Sequence, residues 1–126
     1  YYTKTLDCQV KTASSVIKEF NLDSTNFVKI DVEGMDLKVI KGFENEINKV
    51  DVIQFEYGIF NISSHDLLID FCNYLNNNGF VVGKIFPRVV SFFEYDMLME
   101  NFHGSNFLAV KKCKSSLIEK LSTFSL

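Results

Sequence analysis

The fold of this chain is decided by one stretch, Phe27-Val28-Lys29-Ile30-Asp31-Val32-Glu33-Gly34. Residues 27–31 are rich in β-forming side chains and nearly continuous in apolar character, which is typical of a strand buried on both faces of a parallel sheet. The strand ends in Asp31, and Glu33 and Gly34 follow it. Ligands of open α/β sheets bind outside the carboxyl ends of the strands, so both acids are predicted to face a binding crevice. Gly34 permits a tight turn or a close approach of the backbone there.

A second stretch, Gln54-Phe55-Glu56-Tyr57-Gly58, repeats the pattern of a strand that ends in an acid and a glycine. Two neighbouring parallel strands of this kind would gather Asp31, Glu33 and Glu56 around one crevice. Neighbouring carboxylates can divide the roles of acid and base, or they can share a divalent cation. A structural interpretation stays open, since Glu33 can complement a helix N-terminus and Glu56 can cap a local turn.

The rest of the chain alternates between strand and helix patterns. Helices are predicted over residues 13–20, 35–41, 64–78 and 115–122, and further strands over residues 51–56, 80–86 and 105–110. The last two strands are separated by residues 87–104, in which a short helix near 95–99 fits. This alternation predicts an α/β fold with a mostly parallel sheet, whose last strand is expected to return antiparallel.

Composition and charge narrow the class of protein. The chain has 126 residues, of which 47% are hydrophobic and 23% charged, as in one ordinary globular domain. No apolar run approaches the roughly 18–20 residues of a membrane span, so no membrane partner is expected. The net charge is −3 and Arg88 is the one arginine. Only Lys111, Lys112 and Lys114 cluster, and they are interpreted as solvated, so no nucleic-acid partner is expected.

The cysteines indicate a compartment. Cys8, Cys72 and Cys113 are three in number, widely spaced and without a CxxC pair, which argues against a disulfide framework or a zinc site. Cys72 lies within an amphipathic helical pattern and is predicted to be a small buried hydrophobe. We therefore expect a cytoplasmic location.

Two further side chains carry weaker signals. His65 is predicted in the first turn of the helix over 64–78, where Ser63, His65 and Asp66 are too close in sequence to build a catalytic triad. Arg88, directly after Pro87, either binds an anion or is simply exposed. No glycine-rich phosphate-binding motif is present.

A longer pattern suggests a family. Residues 29–42 resemble the signature KIDVEGxExxVLKG of the FkbM family of S-adenosylmethionine-dependent methyltransferases. Residues 53–57, 79–85 and 95–109 resemble the family's next strand, its GY…GKI stretch and its closing Y…ENF…N…A pattern. Asp36 stands where many members carry Glu.

The resemblance implies a class I methyltransferase fold, a Rossmann-like three-layer sandwich whose last strand is antiparallel and inserted beside the fifth. It also implies S-adenosylmethionine as the cofactor. The family's glycine-rich cofactor loop has no counterpart here. Residues 1–126 are therefore expected to be one FkbM-like domain truncated at its N-terminus, and the chain alone is expected to be inactive.

The resemblance further implies methyl transfer to a hydroxyl oxygen of a sugar or a related small molecule. Asp31 is the first candidate for the base, with Glu33 and Glu56 orienting the acceptor or helping to bind a divalent cation. Tyr57, His65 and Arg88 are the candidates for substrate contact.

Two other functions stay open for these residues. One is a non-catalytic, truncated α/β fragment that binds a partner, and the other is a metal-assisted hydrolase that uses the same acids. A partial sheet would also expose an unpaired strand edge, so the chain is expected to self-associate.

Overall fold

The computed structural model of the protein describes residues 4–123. Its strands are β1 (Thr25–Lys29), β2 (Val50–Tyr57), β3 (Phe80–Phe86), β4 (Val89–Phe92) and β5 (Ser105–Lys111). Its α-helices are α1 (Ala13–Glu19), α2 (Asp36–Lys41), α3 (Asn61–Ser64), α4 (Leu68–Asn77) and α5 (Ser115–Ser122). Two 3₁₀ segments cover Glu44–Lys49 and Met97–Met99. No helix in this part of the chain is both long and apolar enough to cross a membrane.

The strands form one mixed sheet in the order β1-β2-β5-β3-β4. The α/β class and the antiparallel last strand are confirmed, but the prediction of a mostly parallel sheet is wrong. Among the described strands only β1 and β2 pair in parallel, while β5 inserts between β2 and β3 antiparallel to both. The reason lies in residues 87–104, which hold no long crossover helix. Pro87 and Arg88 instead turn β3 directly back into β4, a strand that the sequence reasoning missed.

Helices cover both faces of the sheet. On one face, α1, α2 and α4 pack over the larger core, which includes Phe55 and Tyr57 of β2. On the other face, α5 packs over a smaller core that includes Val52 of the same strand. The alternation of side chains along a strand explains this division, because successive residues point to opposite faces.

Two local expectations are wrong. β1 is an edge strand, and Asn26, Phe27 and Lys29 are exposed rather than buried on both faces. The helix predicted over 64–78 begins only at Leu68, as α4, because α3 ends at Ser64 and the backbone at His65 takes a left-handed conformation with φ of 60°. The second helix then begins beyond it, where the Asp70 carboxylate accepts the N–H of Leu67 at 2.9 Å.

Candidate active site at the ends of β1 and β2

The turn after β1 is built on a glycine that nothing larger could replace. Glu33 and Gly34 both adopt positive φ, of 52° and 91°, and the chain then enters α2. A Cβ atom on Gly34 would lie 2.7 Å from the backbone carbonyl carbon of Phe60. The turn can therefore close against the segment that follows β2 only because position 34 is glycine. This packing leaves Glu33 exposed beside Gly34 at the end of the strand.

A buried carboxylate links this turn to the next strand. Asp36 lies in the first turn of α2 and is fully buried. Its Oδ1 accepts the backbone N–H of Glu56 at 3.1 Å. The sequence reasoning gave Asp36 no functional role, and its local signal, an acid at a helix start, is common. In the structure it is a positioning residue, because it holds the backbone of Glu56 at the end of β2.

Glu56 lies between two hollows at this edge of the sheet, and Gly104 also lines both. The smaller hollow has a volume of about 120 Å³ and is also lined by Glu33, Gly34 and Asn61. The larger has a volume of about 690 Å³ and is also lined by Lys29. The structure therefore brings Glu33 and Glu56 to one hollow, whereas Asp31, the third acid predicted to join them, lines neither hollow.

A short chain of hydrogen bonds holds the Glu56 side chain from the neighbouring strand. Gln54 Nε2 donates to Asn106 Oδ1 at 2.7 Å, and Asn106 Nδ2 donates to Glu56 Oε1 at 3.4 Å. Glu56 and Asn106 are direct partners in the register of β2 and β5. The sequence reasoning assigned no role to Asn106, because only the antiparallel pairing of β5 with β2 places it there.

Asp31, which follows β1, is paired with a lysine of that strand. Its Oδ2 accepts a hydrogen bond from Lys29 Nζ at 2.5 Å, and both side chains are about half exposed, at 44% and 49%. The hydrogen bond with Asp31 is the largest cause that raises the pKa of Lys29, and the charges of Asp31, Glu56 and Asp36 act in the same direction. One ammonium group therefore lies in the field of three carboxylates, and it orients Asp31.

The carboxylates do not form a metal site. Within residues 4–123, no three His, Cys, Asp or Glu side chains are grouped so that they could hold a metal ion. The predicted divalent cation shared by Asp31, Glu33 and Glu56 therefore finds no site in the described structure.

The three candidates for substrate contact lie in different places. Tyr57 is buried in the larger core and also lines the smaller hollow with Glu33 and Glu56. Its hydroxyl donates to Glu100, and burial and then this carboxylate raise the pKa of Tyr57. His65 is exposed after α3 and lines neither hollow. Arg88 is exposed in the turn between β3 and β4 and lines a separate surface hollow with Lys120 of α5. Their roles in substrate contact stay predictions.

Glu100 lines neither hollow, but it is hydrogen-bonded to Tyr57, which lines the smaller one, and the sequence reasoning gave it no role. Its carboxylate accepts hydrogen bonds from the hydroxyls of Tyr57 and Tyr95 and from the N–H groups of Leu68 and Ile69. Burial acts to raise the pKa of Glu100, but these four donors outweigh it, and the pKa is lowered. Nothing in the sequence near Glu100 signals this role, since most of the donors lie more than thirty positions away.

The comparisons with known proteins support one family. The model of the methyltransferase FkbM domain matches residues 2–82, which include β1, β2 and all the helices from α1 to α4. No curated protein and no solved structure matches the chain. The matched region contains the turn after β1 and the end of β2, so it includes Asp31, Glu33 and Glu56. FkbM methyltransferases use S-adenosylmethionine as the methyl donor, and this chain belongs to the FkbM methyltransferase family.

Proposed function

We propose that this chain takes part in S-adenosylmethionine-dependent methyl transfer to a hydroxyl oxygen of a sugar or related small molecule. Family membership supports the reaction type. The observation that carries the site assignment is the placement of Glu33 and Glu56 around one hollow at the carboxyl ends of β1 and β2. We also propose a class I methyltransferase fold, which the antiparallel β5 between β2 and β3 supports.

The charges of the site fit the reacting end of this cofactor. When bound, S-adenosylmethionine supplies a methyl group on a sulfonium cation. Asp31, Glu33 and Glu56 present carboxylates at this edge of the sheet, with Lys29 as the nearby counter-charge. Carboxylates outnumber the ammonium group, so the site favours a cation over an anion. Glu33 and Glu56 are the residues we expect nearest to that positive charge.

The chain's own residues then position the acceptor and remove its proton. Most of the gain in such a reaction comes from holding the acceptor oxygen in line with the methyl carbon. Glu33 and Glu56 would accept hydrogen bonds from acceptor hydroxyls, and Asn106 holds Glu56 in place for this. Asp31, oriented by Lys29, would take the hydroxyl proton as the oxygen gains the methyl group.

Calorimetric titration of S-adenosylmethionine tests the function. We would titrate it into the 126-residue chain and into a form that includes any upstream coding sequence. Saturable binding by either form supports the methyltransferase function. Absence of binding by both forms would favour the non-catalytic binding module instead.

An Asp31→Asn substitution tests the base. The binding-competent form would be assayed with a radiolabelled methyl donor and a mixture of methyl glycosides. The loss of a general base typically lowers turnover about 10²-fold or more. Asp23→Asn is the matched control, because Asp23 is also an exposed aspartate but precedes β1, whereas Asp31 follows it beside Glu33. Unchanged turnover in Asp31→Asn would show that another group takes the proton.

A further inference from the structure

Another hollow lies over β5, β3 and β4 and meets the larger hollow at Phe86. In the register of β4, β3 and β5, Ser91 pairs with Lys84 and Lys84 pairs with Phe107. Directly paired residues share a face of the sheet, so these three side chains form a row. The 3₁₀ segment Met97–Met99 borders the row on one side, and the hollow between them, which we name the Lys84 pocket, has a volume of about 230 Å³.

The walls of the Lys84 pocket are mostly apolar. They are formed by Phe86, Phe93, Leu98, Met99 and Phe107. Leu98 is 87% exposed, which is unusual for so large an apolar side chain, and Phe86 is also exposed. Concave, mostly apolar surfaces with a few polar groups are typical of small-molecule sites.

The polar groups of the pocket are all hydrogen-bond donors, and one is charged. Within residues 4–123, the Lys84 side chain makes neither an ion pair nor a hydrogen bond, and its Nζ lies 5.8 Å and 6.0 Å from the ring centroids of Phe86 and Phe107. Ser91 and Asn101 complete the lining. Asn101 Oδ1 accepts the N–H of His103 at 3.2 Å, so its Nδ2 group is left to donate.

The other half-buried or paired lysines differ from Lys84. Lys29 and Lys114 each pair with an aspartate at 2.5 Å and 2.8 Å. Lys111 lies 4.3 Å from the ring centroid of Phe80, yet it also donates to the carbonyl of Asn78 at 2.8 Å. In contrast, the ammonium group of Lys84 lies near two aromatic rings, and no oxygen atom accepts a hydrogen bond from it. An anionic ligand would supply that acceptor.

We propose that the Lys84 pocket binds a small monocarboxylate with an apolar body. Its carboxylate pairs with Lys84 and accepts from Ser91 or Asn101, while its apolar body packs on Phe93 and Met99. A single negative charge fits best, because one lysine and two neutral donors face the ligand. The pocket shares Phe86 with the larger hollow of the proposed methyl-transfer site, but its other lining residues are distinct, and the proposal does not depend on that function.

Methionine-methyl NMR of the full chain tests this site without any methyl donor. The chain has three methionines, of which Met99 lines the pocket and Met35 lies in the turn before α2. The probes are phenylacetate and its neutral analogue phenylacetamide. We expect phenylacetate at millimolar concentration to shift the Met99 methyl signal saturably while that of Met35 stays in place. The affinity for phenylacetamide should be lower by about tenfold or more, because it lacks the charge.

Substitutions of lysine complete the test. Lys84→Met keeps an apolar stem and should weaken phenylacetate binding about tenfold, whereas Lys84→Arg should largely restore it. Lys111→Met is the matched control, since Lys111 also lies against a phenylalanine ring but lines a different part of the sheet. An unmoved Met99 signal, or equal affinity for both probes, would overturn the proposal even if Lys84→Met failed to fold.

Discussion

The hydroxyl of Tyr57 donates a hydrogen bond to Oε2 of Glu100, a residue 43 positions later in the chain. Tyr57 is the last residue of β2, and Glu100 precedes β5. The same carboxylate accepts the N–H groups of Leu68 and Ile69 at the start of α4. One carboxylate therefore joins the end of β2, the start of α4 and the segment before β5. Glu56 lies at the end of β2 and Gly104 lies just before β5, and both line the two hollows of the candidate active site.

Glu100→Gln is expected to lower the free energy of unfolding by about 2–3 kcal/mol. The glutamine amide has an NH₂ group in place of one carboxylate oxygen. The N–H and O–H groups that donated to that oxygen then face another donor and lose their acceptor. Urea denaturation followed by circular dichroism measures the change. Glu94→Gln is the control, because Glu94 is exposed and its substitution should change stability by less than about 0.5 kcal/mol. Equal stability of the two variants would show that the Glu100 hydrogen bonds contribute little.

Stability should fall at both ends of the pH range for separate reasons. The pKa of Glu100 is lower in the folded chain than its ordinary value of 4.5, so its contribution is present above that pH and is lost as the pH falls through the folded pKa. The pKa of Tyr57 is raised above its ordinary value of 10.0. Its contribution is therefore intact below that pH and is lost as the pH rises toward the folded pKa.

Denaturation midpoints measured across pH check both directions. In Glu100→Gln the acid-side loss should be shallower, since the titrating carboxylate is absent. In Tyr57→Phe the alkaline loss should be shallower for the same reason. If the denaturation midpoints of the two variants change with pH as steeply as those of the unmodified chain, other groups cause the pH dependence.

Gly34→Ala should be far more costly than Gly79→Ala. Both glycines have positive φ, of 91° and 80°, so both variants carry backbone strain. An added Cβ at Gly34 would meet the backbone of Phe60 at 2.7 Å, whereas at Gly79 nothing lies within 4 Å. We expect losses of about 3 kcal/mol or more for Gly34→Ala and about 1–2 kcal/mol for Gly79→Ala. Thermal denaturation of the two variants measures the difference, and similar losses would contradict the close approach of Gly34 to Phe60.

Cys72 should resist thiol reagents in the folded chain. It is buried in the larger core, as its place in an amphipathic helix predicts, and burial raises the pKa of its thiol to about 11. Cys8 and Cys113 are exposed. Ellman's reagent at pH 8 should therefore modify Cys8 and Cys113 quickly and Cys72 only in denaturant. Rapid reaction of Cys72 in the native chain, located by mass spectrometry of peptides, would indicate that α4 opens readily.

The turn after β1 could be predicted because its determinants are adjacent in sequence. Asp31, Glu33 and Gly34 follow a short β-rich run, and the structure places them at the end of the parallel strand β1. The family signature is also local, and the family match confirms it. The strand pattern in residues 105–110 likewise predicts β5 nearly to its bounds.

The pairing of the strands could not be predicted in the same way. Residues 87–104 contain no long helix pattern, and the sequence predicts there only a connection that fits a short helix near 95–99. The turn at Pro87 and Arg88 makes β4 from Val89–Phe92, and β5 then pairs with both β2 and β3. Such pairings depend on contacts between distant residues, for which local periodicity carries no signal.

By itself, the sequence determined the family, the α/β class, and the acids that end β1 and β2. Lys29, which holds Asp31, is only two positions away from it in the chain. Only the tertiary structure decided which partners hold Glu56, since Asp36 and Asn106 reach it from 20 and 50 positions away. The physical reason is that strand ends are encoded by neighbouring residues, whereas hydrogen bonds across the sheet arise only when its strands have paired.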